Sequence, residues 1–208
     1  MTTQSSDAPV HTVTYLEVTP SSVAMAARTL GEWAQVTRRT DRLERFEALQ
    51  RTTRPHHFAI VATWSSRAQF DSSRQGSGGA MLRDQLGPHL ISGVDTRVHA
   101  DLIGGADAVR GPGRLIVVTH VDVPPPHKDT CIGLLETLVA ASRAEAGSVR
   151  FDVLQQADRP NHFSVVESWA DQTAYDAHIV AAHTRQFRHA LTPITGALYD
   201  ERIYTALG

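Results

Sequence analysis

Three side chains in the C-terminal half of the chain have the types needed to handle a proton. Glu167 sits in an alternating apolar stretch, on one face with Phe163, Val165 and Trp169. A carboxylate on a buried face is costly unless it is paired. His178 or His183, in the helical sequence that follows, is the expected partner. Such a couple is expected to raise the imidazole pKa towards that of a general base near neutral pH. Glu167, His178 and His183 are therefore the catalytic candidates. Trp169 and Tyr175 could stack a flat substrate. Asn161, Phe163 and His120 are further substrate-binding candidates, His120 because its strand could aim it into a pocket.

His178 and His183 are five residues apart, roughly 140° around a continuous helix, so they are not expected to share a face. One would point inward and the other would brace or cap. The spacing is not i,i+4 and the sequence brings no carboxylate-rich cluster beside it, so no metal site is expected.

The elements that must position these residues occur twice. Arg45–Asp71 and Arg150–Asp176 match at about 11 of roughly 27 positions without a gap, 105 residues apart. The offset continues to Asp95/Asp200 and Arg97/Arg202, and back to Thr14/Thr119. A register kept that long implies two copies of one domain. Their expected extents are residues 10–103 and 114–206, joined by a Gly- and Pro-rich linker at 104–113. Residues 1–9, small and polar, read as a frayed tail.

Each copy shows the order β-α-β-β-α-β. In the second, Arg114–Val123, Ser148–Gln156, His162–Trp169 and Ala197–Thr205 read as strands. A helix capped by Asp129 should run to about Ala146, and Asp171 should open helical sequence to about Leu191, broken near Ala182. In the first copy the strands are His11–Val18, Glu44–Thr52, His57–Trp64 and Val94–Leu102, with a helix over Ser21–Arg39. Ser72–Gly79 (SSRQGSGG) is poor helical sequence and reads as a loop. The expected fold class is α+β: two ferredoxin-like repeats whose antiparallel sheets pack as an intrachain pseudo-dimeric barrel, with ligand space between each sheet and its helices.

The copies differ where chemistry would sit. Ala62 stands opposite Glu167, Ser73 opposite His178, Gly78 opposite His183 and Phe70 opposite Tyr175, while Trp64 repeats Trp169. The first copy thus reads as a structural partner and the second as the copy with an active pocket. Formal net charge is −2, with no basic stripe, which argues against nucleic acid as a partner. No apolar run has membrane-spanning length and no signal peptide is read. The single Cys131, on an apolar helical face, reads as a core residue and fits a reducing cytoplasm.

Asn161–Phe187 resembles the antibiotic biosynthesis monooxygenase domain of the dimeric α+β barrel superfamily. The resemblance rests on Phe163, Glu167, Trp169, Asp171, His178, His183 and Phe187. It implies a cofactor-independent oxygenase that turns a hydroxylated aromatic, such as a hydroquinone or phenolic polyketide, into a quinone with O2. A base would deprotonate the phenol, and the protein would supply positioning and exclude water. The alternative is a non-catalytic ligand-binding or regulatory barrel, which the loss of polar groups in the first copy favours. Haem-degrading relatives place Asn on the first strand and Trp on the helix. Here Thr119 or His120, and His178, stand there, so haem is not expected. Further association of the pseudo-dimer into an oligomer stays open.

Overall fold

The computed structural model describes residues 8–40, 43, 45–105 and 113–207. Most of the expected tail (1–7) and of the expected linker (106–112) lies outside them. The chain divides into two compact units. The first runs to Ala100 and takes in the chain again from Thr205; the second is Asp101–Tyr204.

The first unit contains β1 (Val10–Glu17), α1 (Val23–Thr40), β2 (Arg45–Arg51), β3 (His57–Trp64), α2 (Arg67–Gln75), α3 (Ser77–Leu86) and β4 (Asp95–Ile103). The second contains β5 (Leu115–Asp122), α4 (Lys128–Arg143), β6 (Ser148–Gln156), β7 (His162–Trp169), α5 (Gln172–Ile179), α6 (Ala182–Leu191) and β8 (Asp200–Ala206). Within each, the strand order is that of a ferredoxin-like sheet: β4-β1-β3-β2 and β8-β5-β7-β6. Neighbouring strands are antiparallel, with Val13 opposite Val61 in one unit and Thr119 opposite Val165 in the other. The 105-residue offset holds from β1/β5 to β4/β8.

Alternation explains the core of the second unit. Val117 and Val121 of β5 and Phe163, Val165 and Trp169 of β7 turn one face to Cys131, Leu135 and Leu138 of α4. Burial pushes the Cys131 thiol up to about 12, so it is an inert core group. The first unit packs Phe46, Phe58 and Ile60 against Leu30 and Trp33 of α1 in the same way.

Two local expectations are corrected. Ser72–Gly79 is mostly helical, with a break only at Gly76 between α2 and α3. Ser66 caps α2 by accepting from the Gln69 amide, Arg67 pairs with Asp71 one turn on, and Phe70 anchors the helix in the core. Packing and capping thus override weak propensity. Asp129 is not the cap of α4; it lies in the first turn after a 3-10 turn at Pro125–His127, and α4 ends at Arg143.

Gly147 sets the spacing between the turn after α4 and the start of α5. Its φ is +81°, and a Cβ there would lie 2.5 Å from Cβ of Ala174. Gly147→Ala should therefore cost about 1–3 kcal/mol in urea unfolding. Gly133→Ala, on an exposed helical position with open space around it, should instead stabilise by about 0.5–1 kcal/mol.

Candidate functional site

The close approach at Gly147 brings the turn residue Glu145 against α5. One oxygen of Glu145 lies 2.6 Å from Nδ1 of His178 and 2.8 Å from Nε2 of His183. A carboxylate oxygen only accepts, so His178 carries its proton on Nδ1 and His183 on Nε2. This leaves Nε2 of His178 as a lone pair, 3.8 Å from Oε2 of Glu167. The same Glu167 oxygen accepts a 2.9 Å hydrogen bond from the indole of Trp169. The Trp169 ring lies 4.6 Å from that of His178, and Phe151 lies 5.7 Å from His178 and 6.5 Å from Trp169, so the three rings pack as one cluster.

The helix break explains how both histidines reach one carboxylate. α5 ends at Ile179, and the Ala181 amide bonds the His178 carbonyl before α6 starts at Ala182. The expectation that the two do not share a face, which holds for a continuous helix, is corrected; the break read near Ala182 is present and puts His183 in the first turn of a second helix. The pairing of a histidine with Glu167 as its main partner is corrected too: Glu145, which the sequence reading did not select, holds both. A signal for it existed, because the copy-to-copy comparison extended five residues upstream pairs Glu145 with Thr40.

Burial dominates the electrostatics. It pushes Glu167 up to about 8, with Glu201 and Glu145 adding to the rise, while the Trp169 bond and Arg188 oppose it. Burial also lowers the His178 pKa, more than Glu145 raises it. The expected rise in the imidazole pKa is thus reversed. Near neutral pH the pair is a protonated carboxyl facing a neutral imidazole, which is a poised proton donor and acceptor.

The remaining candidates fall into three groups. Tyr175 is buried beside the cluster and bonds Glu201; burial raises its pKa. Phe163 is a core residue on the cluster's sheet face. Asn161 and His120 lie apart from it. Asn161 braces a turn by donating to the Val123 carbonyl at 2.6 Å. His120 alternates with Thr119 and Val121 onto the opposite sheet face, with its Nδ1 3.3 Å from the Ser164 hydroxyl.

Glu145, His178 and His183 have metal-ligand atoms within 4.8 Å of one another. Their 2.6 and 2.8 Å contacts are hydrogen-bond lengths, shorter than the roughly 3 Å that separates ligands around an ion with bonds near 2.0–2.1 Å. Glu17, His56 and His57 form a second such group, at 3.4 and 3.6 Å.

Each unit contains a hollow among its described residues. In the second, one of 240 Å³ is lined by Arg188, Leu191, Leu198 and Tyr199, among others. Arg188 lies over the Tyr199 ring at 5.3 Å, and both bear on Glu167 through its charge. In the first unit a cavity of 170 Å³ is walled by Trp33, Phe46, Trp64 and Phe70. Ligand space was expected between each sheet and its helices, but the first copy was read as a structural partner and not as the copy with the active pocket.

The geometry defines a ferredoxin-like domain with a buried carboxyl–imidazole centre. Residues 114–190 match the family described as antibiotic biosynthesis monooxygenase. The second repeat is a domain of that family, and the chain is a tandem duplication of its fold. A curated relative, "Putative monooxygenase YcnE" of Bacillus subtilis, is 27% identical over 73 residues, 35% of this chain and 77% of the relative. Among solved structures, a "Putative monooxygenase" of Fusobacterium nucleatum superposes with a TM-score of 0.85 at 12% identity, covering 97% of this chain and 93% of that one. An "anthrone oxidase-like protein" gives 0.69 at 13% identity over 97% and 92%. These structural likenesses establish the fold. Among the described residues no helix is long and apolar enough to cross a membrane.

The raised Glu167 pKa has a sign that can be measured. Its protonated form favours the fold. That contribution is complete below about 4.5 and is lost as pH rises towards about 8. Thermal or urea unfolding of Glu167→Gln, which keeps an acceptor for Trp169, should show a stability gain over wild type that grows by on the order of a few kcal/mol between those pH values. A flat difference would mean that Glu167 is ionised in the fold.

Proposed function

We propose that the chain is a monooxygenase-type oxidoreductase of the cofactor-independent kind, acting in the cytoplasm on a hydroxylated aromatic with its chemistry in the second repeat. The observation that carries this reading is the neutral His178 imidazole, its Nε2 lone pair facing protonated Glu167 in a setting walled by Trp169 and Phe151. Nε2 of His178 takes the phenolic proton. Glu145 stabilises the imidazolium through Nδ1, and His183 holds Glu145 from the solvent side. The phenolate passes one electron to O2, and the two radicals combine at the ring carbon to give a hydroperoxide. Loss of water leaves one oxygen atom in the quinone and the other in water, so the substrate supplies all the reducing equivalents. The substrate would approach from the hollow lined by Arg188 and Tyr199, the two groups on that side that bear on Glu167 through its charge. The Arg188 guanidinium would favour the phenolate over the phenol.

A binding or regulatory role is the second reading. The first unit's aromatic cavity, which has no acid–base group among its lining residues, favours it.

O2 uptake with a panel of dihydroxynaphthalenes and anthrones, with no cofactor added, tests the first reading. Wild type should consume O2 above the autoxidation blank. His178→Ala and Glu145→Gln should each lower the rate at least about tenfold, in line with the 10²–10⁴-fold typical of a general base. An equal rate in His178→Ala, or no uptake by wild type on any member of the panel, would remove the oxygenase reading in favour of binding.

A further inference from the structure

The first unit's cavity owes its volume to a set of size differences between the two copies. At the positions of its wall and rim, Ser73 stands where the second copy has His178, Gly79 where it has Thr184, and Leu82 where it has Phe187. Likewise Val94 stands for Tyr199 and Thr96 for Glu201. In the second unit His178, Thr184 and Phe187 are buried and fill the space. Gly79 has a further reason to lack a side chain: a Cβ there would lie 2.3 Å from the Arg74 carbonyl oxygen, so the α2–α3 junction closes against backbone.

What remains is a built box. Trp33 and Phe46 meet edge to face at 4.7 Å, Phe46 and Trp64 at 6.0 Å, and Trp64 and Phe70 lie 5.5 Å apart. The polar atoms are held in place. The Trp64 indole donates to Thr12 at 3.0 Å, and Thr14 donates to Thr96 at 3.1 Å. Arg74 and Arg83 complete the lining. Arg74 lies over the Phe70 ring at 5.5 Å, and Arg83 donates to the Arg74 carbonyl at 2.6 Å. Among the described lining residues none is acidic. A dry apolar cavity of about 150 Å³ is known to admit benzene, so 170 Å³ is room for one aromatic ring with a substituent at the mouth.

We infer that this cavity is a ligand site for a small planar aromatic bearing an anionic group, its ring between Trp33, Phe46 and Trp64 and its anion against Arg74 and Arg83. The aromatic walls supply stacking and edge contacts, and the two guanidiniums supply charge selection. With hydroxyls, indoles and guanidiniums but no carboxyl or imidazole, it is a site for binding rather than proton transfer. The inference is independent of the oxygenase reading, because binding is read without turnover.

The chain has three tryptophans, two of them in this box. Trp169→Phe leaves Trp33 and Trp64 as the only emitters. The probes are 4-nitrobenzoate, 4-nitrobenzyl alcohol and 4-nitrobenzylamine, titrated at constant ionic strength against Trp emission. The carboxylate should quench saturably and bind tightest, the amine weakest. Arg74→Gln with Arg83→Gln should weaken the carboxylate at least about tenfold while leaving the alcohol within about twofold. Leu82→Phe with Val94→Tyr, which installs the second copy's residues, should abolish saturable quenching by all three probes. Circular dichroism confirms that each variant is folded. Linear, unsaturable quenching, unchanged binding in the folded Leu82→Phe/Val94→Tyr variant, or amine binding as tight as the carboxylate's would overturn the inference. Should the filled variant not fold, the arginine pair decides. O2 uptake is scored separately, so failure of either reading leaves the other standing.

Discussion

One carboxylate oxygen organises the second unit. Glu145 takes hydrogen bonds from His178 and His183 at once, and that double contact fixes which nitrogen of each ring carries its proton. The free lone pair of His178 then faces Glu167, and burial keeps Glu167 protonated and His178 neutral. The arrangement is only as good as the turn that holds Glu145. Gly147 bonds the Ala170 amide through its carbonyl and lets Ala174 approach to a distance no other residue permits. Backbone geometry at one glycine is thus upstream of the charge state of two side chains.

Much of the fold was legible because periodicity and repetition reinforced each other. β6 and β7 fall on their sequence-read bounds, and the helix break near Ala182 follows a run that cannot sustain one continuous face. The site was half legible. Glu167, Trp169, Tyr175 and His178 announce themselves as polar or aromatic residues on a buried face. Glu145 does not, since it lies in a turn with no periodic pattern and acts through a contact 33 residues away. The sign of the His178 shift was misread for a related reason. A sequence displays the partner that raises an imidazole pKa but not the depth of burial that lowers it. Ser72–Gly79 was misread because its stabilising terms, a cap, an ion pair and the buried Phe70, outweigh the low intrinsic propensity of its serines and glycines.

The duplicated copies separate two demands that a single small domain meets with difficulty. A buried carboxyl or imidazole must be satisfied by neighbours, so such groups are retained or lost as a set. The second copy retains the set: Glu145 with both histidines, Glu167 with Trp169, and Arg188 with Glu201 at 3.1 Å. That set occupies volume. The first copy has Thr40, Ser73, Gly78, Ala62 and Thr96 at the corresponding positions, so the described residues carry no such set, and its box of aromatics surrounds a cavity instead.

Loss of the polar motif is therefore poor evidence that a copy has become a scaffold. Removing one member alone would strand its partners without hydrogen bonds, at about 1–3 kcal/mol for each buried group left unsatisfied. Concerted removal avoids that cost and leaves a cavity, which has a cost of its own because its walls lose contact partners. In the first unit no described side chain offsets that cost, although in the second the residues at the matching positions, Phe187, Thr184 and His178, are buried. A cavity kept open while the means of filling it stand in the same chain is more economically explained by an occupant than by drift.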